Sequence, residues 1–325
     1  MGTVHSASSA QILYGYESGF GTGSAGTRLF GKEQKCTSLE FENGQIPLGE
    51  LYTPEIGSFA YTKNKGNATI EYILSNPWIL TAFFNAPTTG ALSGGTYPHT
   101  WTSDPTTNPD IRNVKTMNFE FFMDGRTDKF EVKPTGVISP SINFKTGVEQ
   151  LVQISQNFEW GNNNTVTTAS ASSSTSDGFS PYSFASCSIK LPITGSILAV
   201  VQDIDLTVDT GAKLLWELNL SPNAACAVNQ LLTMTGKINM IVDDKDLLQK
   251  VLDRTEVADM ELKFISGTAG TSSERSITFT FTGIGLSKTG FTGLAPGEVM
   301  FNDVDFQCRK CTVVARNTTS TAPTP

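Results

Sequence analysis

Side-chain character switches every second residue over much of this chain. Met117, Phe119, Phe121 and Met123 share one side of an extended segment, with Asn118 and Glu120 on the other. Ile277, Phe279 and Phe281 alternate with Thr278, Thr280 and Thr282; Ile204, Leu206 and Val208 alternate with Asp203, Asp205, Thr207 and Asp209. A period of two in β-branched and aromatic residues belongs to strands with one dry and one wet face, as in antiparallel sheets. With 325 residues, 38% hydrophobic and 17% charged, the chain has the material for about two globular domains, each able to bury a core. It has no apolar run of the roughly 18 residues that a membrane-spanning helix requires.

Two segments break the alternation and read as helices. In Ser75 to Asn85, Ser75 is placed to cap, Pro77 opens the first turn, and Ile79, Leu80, Phe83 and Phe84 form an apolar stripe. In Asp243 to Arg254, Asp243 and Asp244 are the acidic start, Leu247, Leu248, Val251 and Leu252 the stripe, and Arg254 the basic close. These helices expose a repeat. Ala68 to Ser75 aligns without gaps on Gly236 to Asp243, and each helix is followed by a Met-led strand, at Met117 and Met260. Lys-Thr-Gly recurs at Lys145 to Gly147 and Lys288 to Gly290, and a Cys-led strand pair precedes each helix, from Cys36 and from Cys187.

The reading is a mainly β chain of two tandem antiparallel β-sandwich or barrel domains, each with one flanking helix. Its expected divisions are an N-terminal arm, 1–34; a first domain, 35–160; a Ser/Thr/Asn/Gly-rich linker, 161–181; a second domain, 182–316; and a disordered tail, 317–325. The first domain carries an inserted loop, 86–116, rich in Thr, Pro, Gly and Asn and holding Tyr97, His99 and Trp101. Aromatic residues on a polar loop favour a protein contact, with burial beneath the loop as the alternative.

Catalytic patterns are sparse. The two histidines, His5 and His99, give no metal quartet or triad, and the sequence has no nucleophile elbow, phosphate-binding lysine loop or zinc-protease helix. The glycine run Gly19 to Gly26 lacks the strand and helix that a dinucleotide fingerprint needs and reads as a flexible arm. Cys308 and Cys311 have redox or zinc spacing but no second ligand pair; they read as small strand residues with Arg309 and Lys310 outward. With Cys36, Cys187 and Cys226 they form an odd, scattered set unlike a disulfide framework. The N-terminal residues lack a basic start and an apolar core, so the expectation is folding in a reducing cytoplasm. Asp203, Asp205 and Asp209 share one strand face and Asp303 and Asp305 another, which reads as a solvated acidic surface rather than a calcium loop. The net charge of -8 is opposite to that of a protein built to grip phosphates. No cofactor, metal or enzymatic activity is expected.

Tyr14-Gly-Tyr-Glu-Ser-Gly-Phe-Gly-Thr22, followed by Leu29-Phe-Gly-Lys-Glu-Gln34, resembles the start of tail tube proteins of tailed bacterial or archaeal viruses, and the strand and helix of Ala68 to Asn85 extend the likeness. The resemblance implies β-sandwich or barrel units in flat six-fold rings. Their inner sheets join into one barrel, and the rings stack into a tube that conducts double-stranded DNA without specific binding. A chain with two such units would close as a pseudo-hexameric trimer, or else as a hexamer. Implied partners are further copies of the chain and other tail proteins: an initiator, a tape measure, a terminator, and a sheath where the tail has one. The implied location is the virion tail, after synthesis in the host cytoplasm. On this reading Tyr97, His99 and Trp101 are ring-stacking candidates, and Tyr14, Tyr16 and Phe20 are arm contacts. A deletion of 91–108 is then expected to abolish stacking and spare folding. The alternative is a cell-surface or secreted β-sandwich module for glycan or protein adhesion, which would use the sequons at Asn67, Asn163, Asn219 and Asn317.

Overall fold

The computed structural model describes residues 11–22, 26–49, 56–109, 113–124, 129–162, 165–168, 179–195, 201–217, 221–241, 246–267, 274–296 and 298–320. Its first half holds β1 (Gln11–Tyr16), β2 (Lys32–Gly49), β3 (Ile56–Ile73), α1 (Thr81–Phe84), β4 (Thr88–Thr89), β5 (Tyr97–Thr102), β6 (Met117–Asp124), β7 (Lys129–Lys133), β8 (Ile138–Gly147), β9 (Gln153–Trp160) and β10 (Thr165–Thr168). The second half holds β11 (Cys187–Lys190), β12 (Val201–Asp209), β13 (Lys213–Leu215), β14 (Cys226–Val228), β15 (Thr233–Ile241), α2 (Asp246–Leu252), β16 (Val257–Ser266), β17 (Arg275–Thr292) and β18 (Phe301–Asn317). The chain is mainly β, as its alternation predicts.

One large antiparallel sheet runs β11-β16-β17-β18-β15-β12-β8-β9-β3-β2, with β5 added to β18 and β4 to β5. A second sheet runs β1-β6-β7-β10 and packs on it through an aromatic core, where Phe119 meets Phe158 at 4.7 Å and Phe30 at 5.4 Å between ring centres. Along β12 the buried residues are Ile204, Leu206 and Val208, and along β17 they include Ile277, Phe279 and Phe281, the dry positions of the sequence pattern. Two runs of strands take the same path: β2-β3-β9-β8 and β12-β15-β18-β17 have the same spatial order, each with its helix between the second strand and the last pair. The halves share this sheet, because β8 pairs with β12 from Ser141↔Asp209 to Gly147↔Asp203.

Several local expectations change. The first helix is one 3-10 turn, Trp78–Leu80, continued by α1. The cap position is Pro77, which carries no side-chain cap bond; just ahead of it Asn76 Oδ1 accepts from Trp78 N at 3.2 Å, and Ser75 is buried. Every residue from Trp78 to Phe84 is buried, so the apolar stripe has no wet face opposite it. The segment lies inside the molecule, held by Tyr16 Oη donating to Trp78 O and Trp101 Nε1 donating to Thr81 Oγ1. In the second helix Leu252 is exposed, and the end is set by Arg254 in the left-handed region (φ 54°) rather than by its charge. The proposed caps Asp243 and Asp244 lie outside the described residues.

The expected loop 86–116 contains a hairpin. Gly94 and Gly95 both take positive φ (62° and 82°), the geometry of a tight two-residue turn, and β5 then pairs with β18 from Tyr97↔Asn317 to Thr102↔Thr312. Much of the expected arm is also packed: β1 pairs with β6, and Leu13, Tyr14 and Phe30 are core residues. Residues 1–10 and 23–25 of that arm lie outside the described set. Of the expected linker, Thr165–Thr168 form β10 on β7, while 169–178 lie outside the described residues. Asn317, the first residue of the expected tail, is buried in β18, and 321–325 lie outside.

Candidate assembly surfaces

The wet face of the large sheet is organised by register. One cross-strand row reads Lys145, Asp205, Lys237, Asp305, Lys288 over β8, β12, β15, β18 and β17, so the charge alternates at each step. The next row reads Gly147, Asp203, Asn239, Asp303, Gly290. Opposite charges on directly facing strand positions attract, each pair contributing a few tenths to about 1 kcal/mol. Lys237 Nζ lies 2.8 Å from Asp303 Oδ2, Asn239 Nδ2 donates to Asp303 Oδ1 at 2.6 Å, and Asn143 Nδ2 donates to Thr207 Oγ1 at 3.0 Å. Partial burial pushes the Asp203 carboxyl up against the opposing pull of Lys237, with Asp303 adding to the rise. Burial acts the same way on Asp303, but the Lys237 and Asn239 hydrogen bonds outweigh it and hold that carboxyl below its usual range. Of the carboxylates that read as an acidic surface, Asp205 and Asp305 stand in a row laced with lysines, while Asp203 and Asp303 stand in a row without them and Asp209 faces Thr233 and Ser141.

The two ends of the sheet carry exposed apolar side chains. All neighbours are antiparallel, so the β8–β9 and β17–β18 turns share one end, and the β2–β3 tip and the β12–β15 connection share the other. The first end exposes Val148, Leu151, Leu294, Val299 and Met300; the second exposes Ile46, Leu215, Val228 and Leu231. Apolar groups gathered at opposite ends of one subunit suit a head-to-tail contact, which does not close and so builds a column. The β12–β15 connection also holds the halves together. Ala212, Leu214 and Ala224 form a small core with Ile138, Asn64 Nδ2 donates to Asn223 Oδ1 at 2.8 Å, and Lys63 Nζ sits 4.7 Å from the Trp216 ring centre.

The residues singled out from sequence fall elsewhere. Tyr97, His99 and Trp101 lie on β5, with Trp101 and His99 buried and Tyr97 half-buried. His99 Nδ1 is 2.9 Å from Thr89 Oγ1, and Nε2 is 3.2 Å from Asn317 Oδ1 and 3.0 Å from Thr319 O. Burial pushes its pKa below the ordinary value. Tyr14 stacks on Phe30 at 4.5 Å, Tyr16 faces Trp78, and Phe20 packs by Gly136. In the single chain Tyr14, His99 and Trp101 are buried and Tyr16, Phe20 and Tyr97 half-buried, while the hairpin tip before β5 exposes Leu92. His5 lies outside the described residues. Cys308 and Cys311 are buried, their thiols pushed up by burial, Cys308 to about 12; Arg309 and Lys310 point outward to Glu256 and Asp104. Among the described residues no group of three or more His, Cys, Asp or Glu side chains is arranged to hold a metal ion.

The charge row and the apolar ends were not recognised from sequence. Both lysines of the repeated Lys-Thr-Gly stand in that row and both glycines in the next, so the repeat was the available signal; the pairing that aligns them was not.

A family model described as phage tail tube protein matches residues 7–308. No curated protein matches the chain.

Proposed function

The chain belongs to the phage tail tube protein family, a structural component of the virion tail, and from that premise we propose that three copies close into a ring of six similar units. The observation that carries this reading is the strand path repeated within one chain, β2-β3-β9-β8 and β12-β15-β18-β17, already joined edge to edge. On this reading 35–160 and 182–316 are duplicated tube units. Rotational closure would give the long borders of β2 and β17 a partner.

The wet face then lines the lumen and the rings stack end to end through the apolar sheet ends, with the tip around Leu92 as a further contact. DNA binding that is independent of sequence depends on many cations meeting phosphates. A lining whose row lysines each face at least one aspartate offers DNA little net attraction, so the genome slides through. The role is passive: subunits assemble with an initiator and a tape measure after synthesis in the host cytoplasm, and the finished tube conducts double-stranded DNA. Negative-stain microscopy of purified protein, alone and with the initiator complex, tests this. Hollow rods of uniform width support it, and particles that stay dispersed under both conditions refute it.

A further inference from the structure

The seam inside one chain specifies a joint between chains; this inference rests on the ring reading above. Among the described residues, β2 pairs only with β3, and β17 beyond Ile284 pairs only with β18, so each of these strands leaves a border open. The gapless alignment sets Gly236–Ile241 on Ala68–Ile73, and both strands end there, at Ile241 and Ile73. Followed through the observed registers, it carries β12 onto β2, β18 onto β9 and β17 onto β8, with Lys288 on Ser141 and Gly290 on Asn143, so the two Lys-Thr-Gly runs are not equivalent positions in this superposition. The β8–β12 seam then has an image in which β17 meets β2. We propose that β17 of one copy pairs antiparallel with β2 of the next, setting Lys288 opposite Glu42, Thr289 opposite Phe41, Gly290 opposite Glu40 and Phe291 opposite Leu39.

Side-chain chemistry agrees with this register without having been used to find it. In the existing seam Phe144 stands opposite Leu206; in the image Phe291 stands opposite Leu39, again Phe on Leu on the dry face. Glu42 takes the place beyond Lys288 in the charge row, and Glu42 itself pairs with Lys65, so the alternation Lys145, Asp205, Lys237, Asp305, Lys288 continues as Glu42, Lys65. Phe41, 46% exposed beside Trp160, would be covered by the incoming strand. A side chain at Gly290 meets no atom within 4 Å in the single chain, as an open border requires. A one-residue slip would set the wet-side Lys288 opposite the dry-side Phe41 and break both the Phe–Leu pair and the charge row.

Paired cysteines test the register. Gly290→Cys and Glu40→Cys replace the images of Asn143 and Thr207, whose side chains touch in the seam. The double variant, assembled with the initiator complex and oxidised, is expected to give covalent multimers ending at the ring number on a denaturing gel, while each single variant stays monomeric. Tubes seen by microscopy without that cross-link overturn the joint and leave the ring reading standing. An unsubstituted chain that forms no rings removes both. Should the cysteines disturb folding, charge reversal decides: Lys288→Glu or Glu42→Lys alone should lose rings and the pair together regain them, and a pair that stays dispersed contradicts the register.

Discussion

His99 uses both ring nitrogens, and burial favours the neutral ring. Nδ1 accepts from the Thr89 hydroxyl, while Nε2–H donates to Thr319 O and Asn317 Oδ1. Burial lowers its folded pKa below the ordinary 6.5, so the unfolded chain binds the proton first as pH falls. The stability it contributes is therefore complete above about pH 6.5, drops as pH descends from there, and levels off below the folded pKa. Thermal midpoints from pH 8 to pH 5 should decline for the native chain, and the part of that decline due to this ring should vanish in His99→Gln. Equal declines in both would contradict the assignment. A second prediction concerns Gly66, on β3. A Cβ there would lie 2.2 Å from the Trp160 indole, which lies across the glycine. Gly66→Ala is expected to cost about 1–3 kcal/mol in urea unfolding through overpacking; a neutral effect would mean that the indole moves aside freely.

At the scale of elements, the strands were the most legible part because alternation reports directly on a half-buried sheet. The helices were legible in place but not in extent. Periodicity marks the apolar residues of Trp78 to Phe84, yet it does not say that the polar side is buried too. The hairpin of β4 and β5 was missed because its Thr-, Pro- and Gly-rich composition reads as loop. Its strand signal was present all the same: Tyr97, His99 and Trp101 are spaced by two, and Gly94-Gly95 is a turn pair. β5 completes β18 and buries Trp101, so the deletion of 91–108 now carries a different expectation. It should leave insoluble or unfolded chain. Trp101→Ala alone should cost about 3–5 kcal/mol, read by chemical denaturation. Leu92→Asp, at the exposed tip, should leave the melting midpoint unchanged and weaken tube formation by sedimentation. A well-folded deletion variant would show that β18 does not need its added strand.

For the whole molecule, the sequence offers a few aligned identities, and the strand path has the same order in both halves. The shared sheet was not legible, since pairing between β8 and β12 depends on register across more than fifty residues of intervening chain. Net charge does not place charges, but its sign agrees with these strands of the wet face, where Asp203, Asp205, Asp209, Asp303 and Asp305 outnumber Lys145, Lys237 and Lys288. The account's central claim is that open sheet borders of one chain are completed by neighbouring copies, and cryo-electron microscopy of the purified protein assembled with its initiator complex tests that most directly. The account predicts a hollow tube of stacked rings, three chains to a ring, with one unbroken sheet around the lumen; separate subunits whose sheets end in solvent would contradict it.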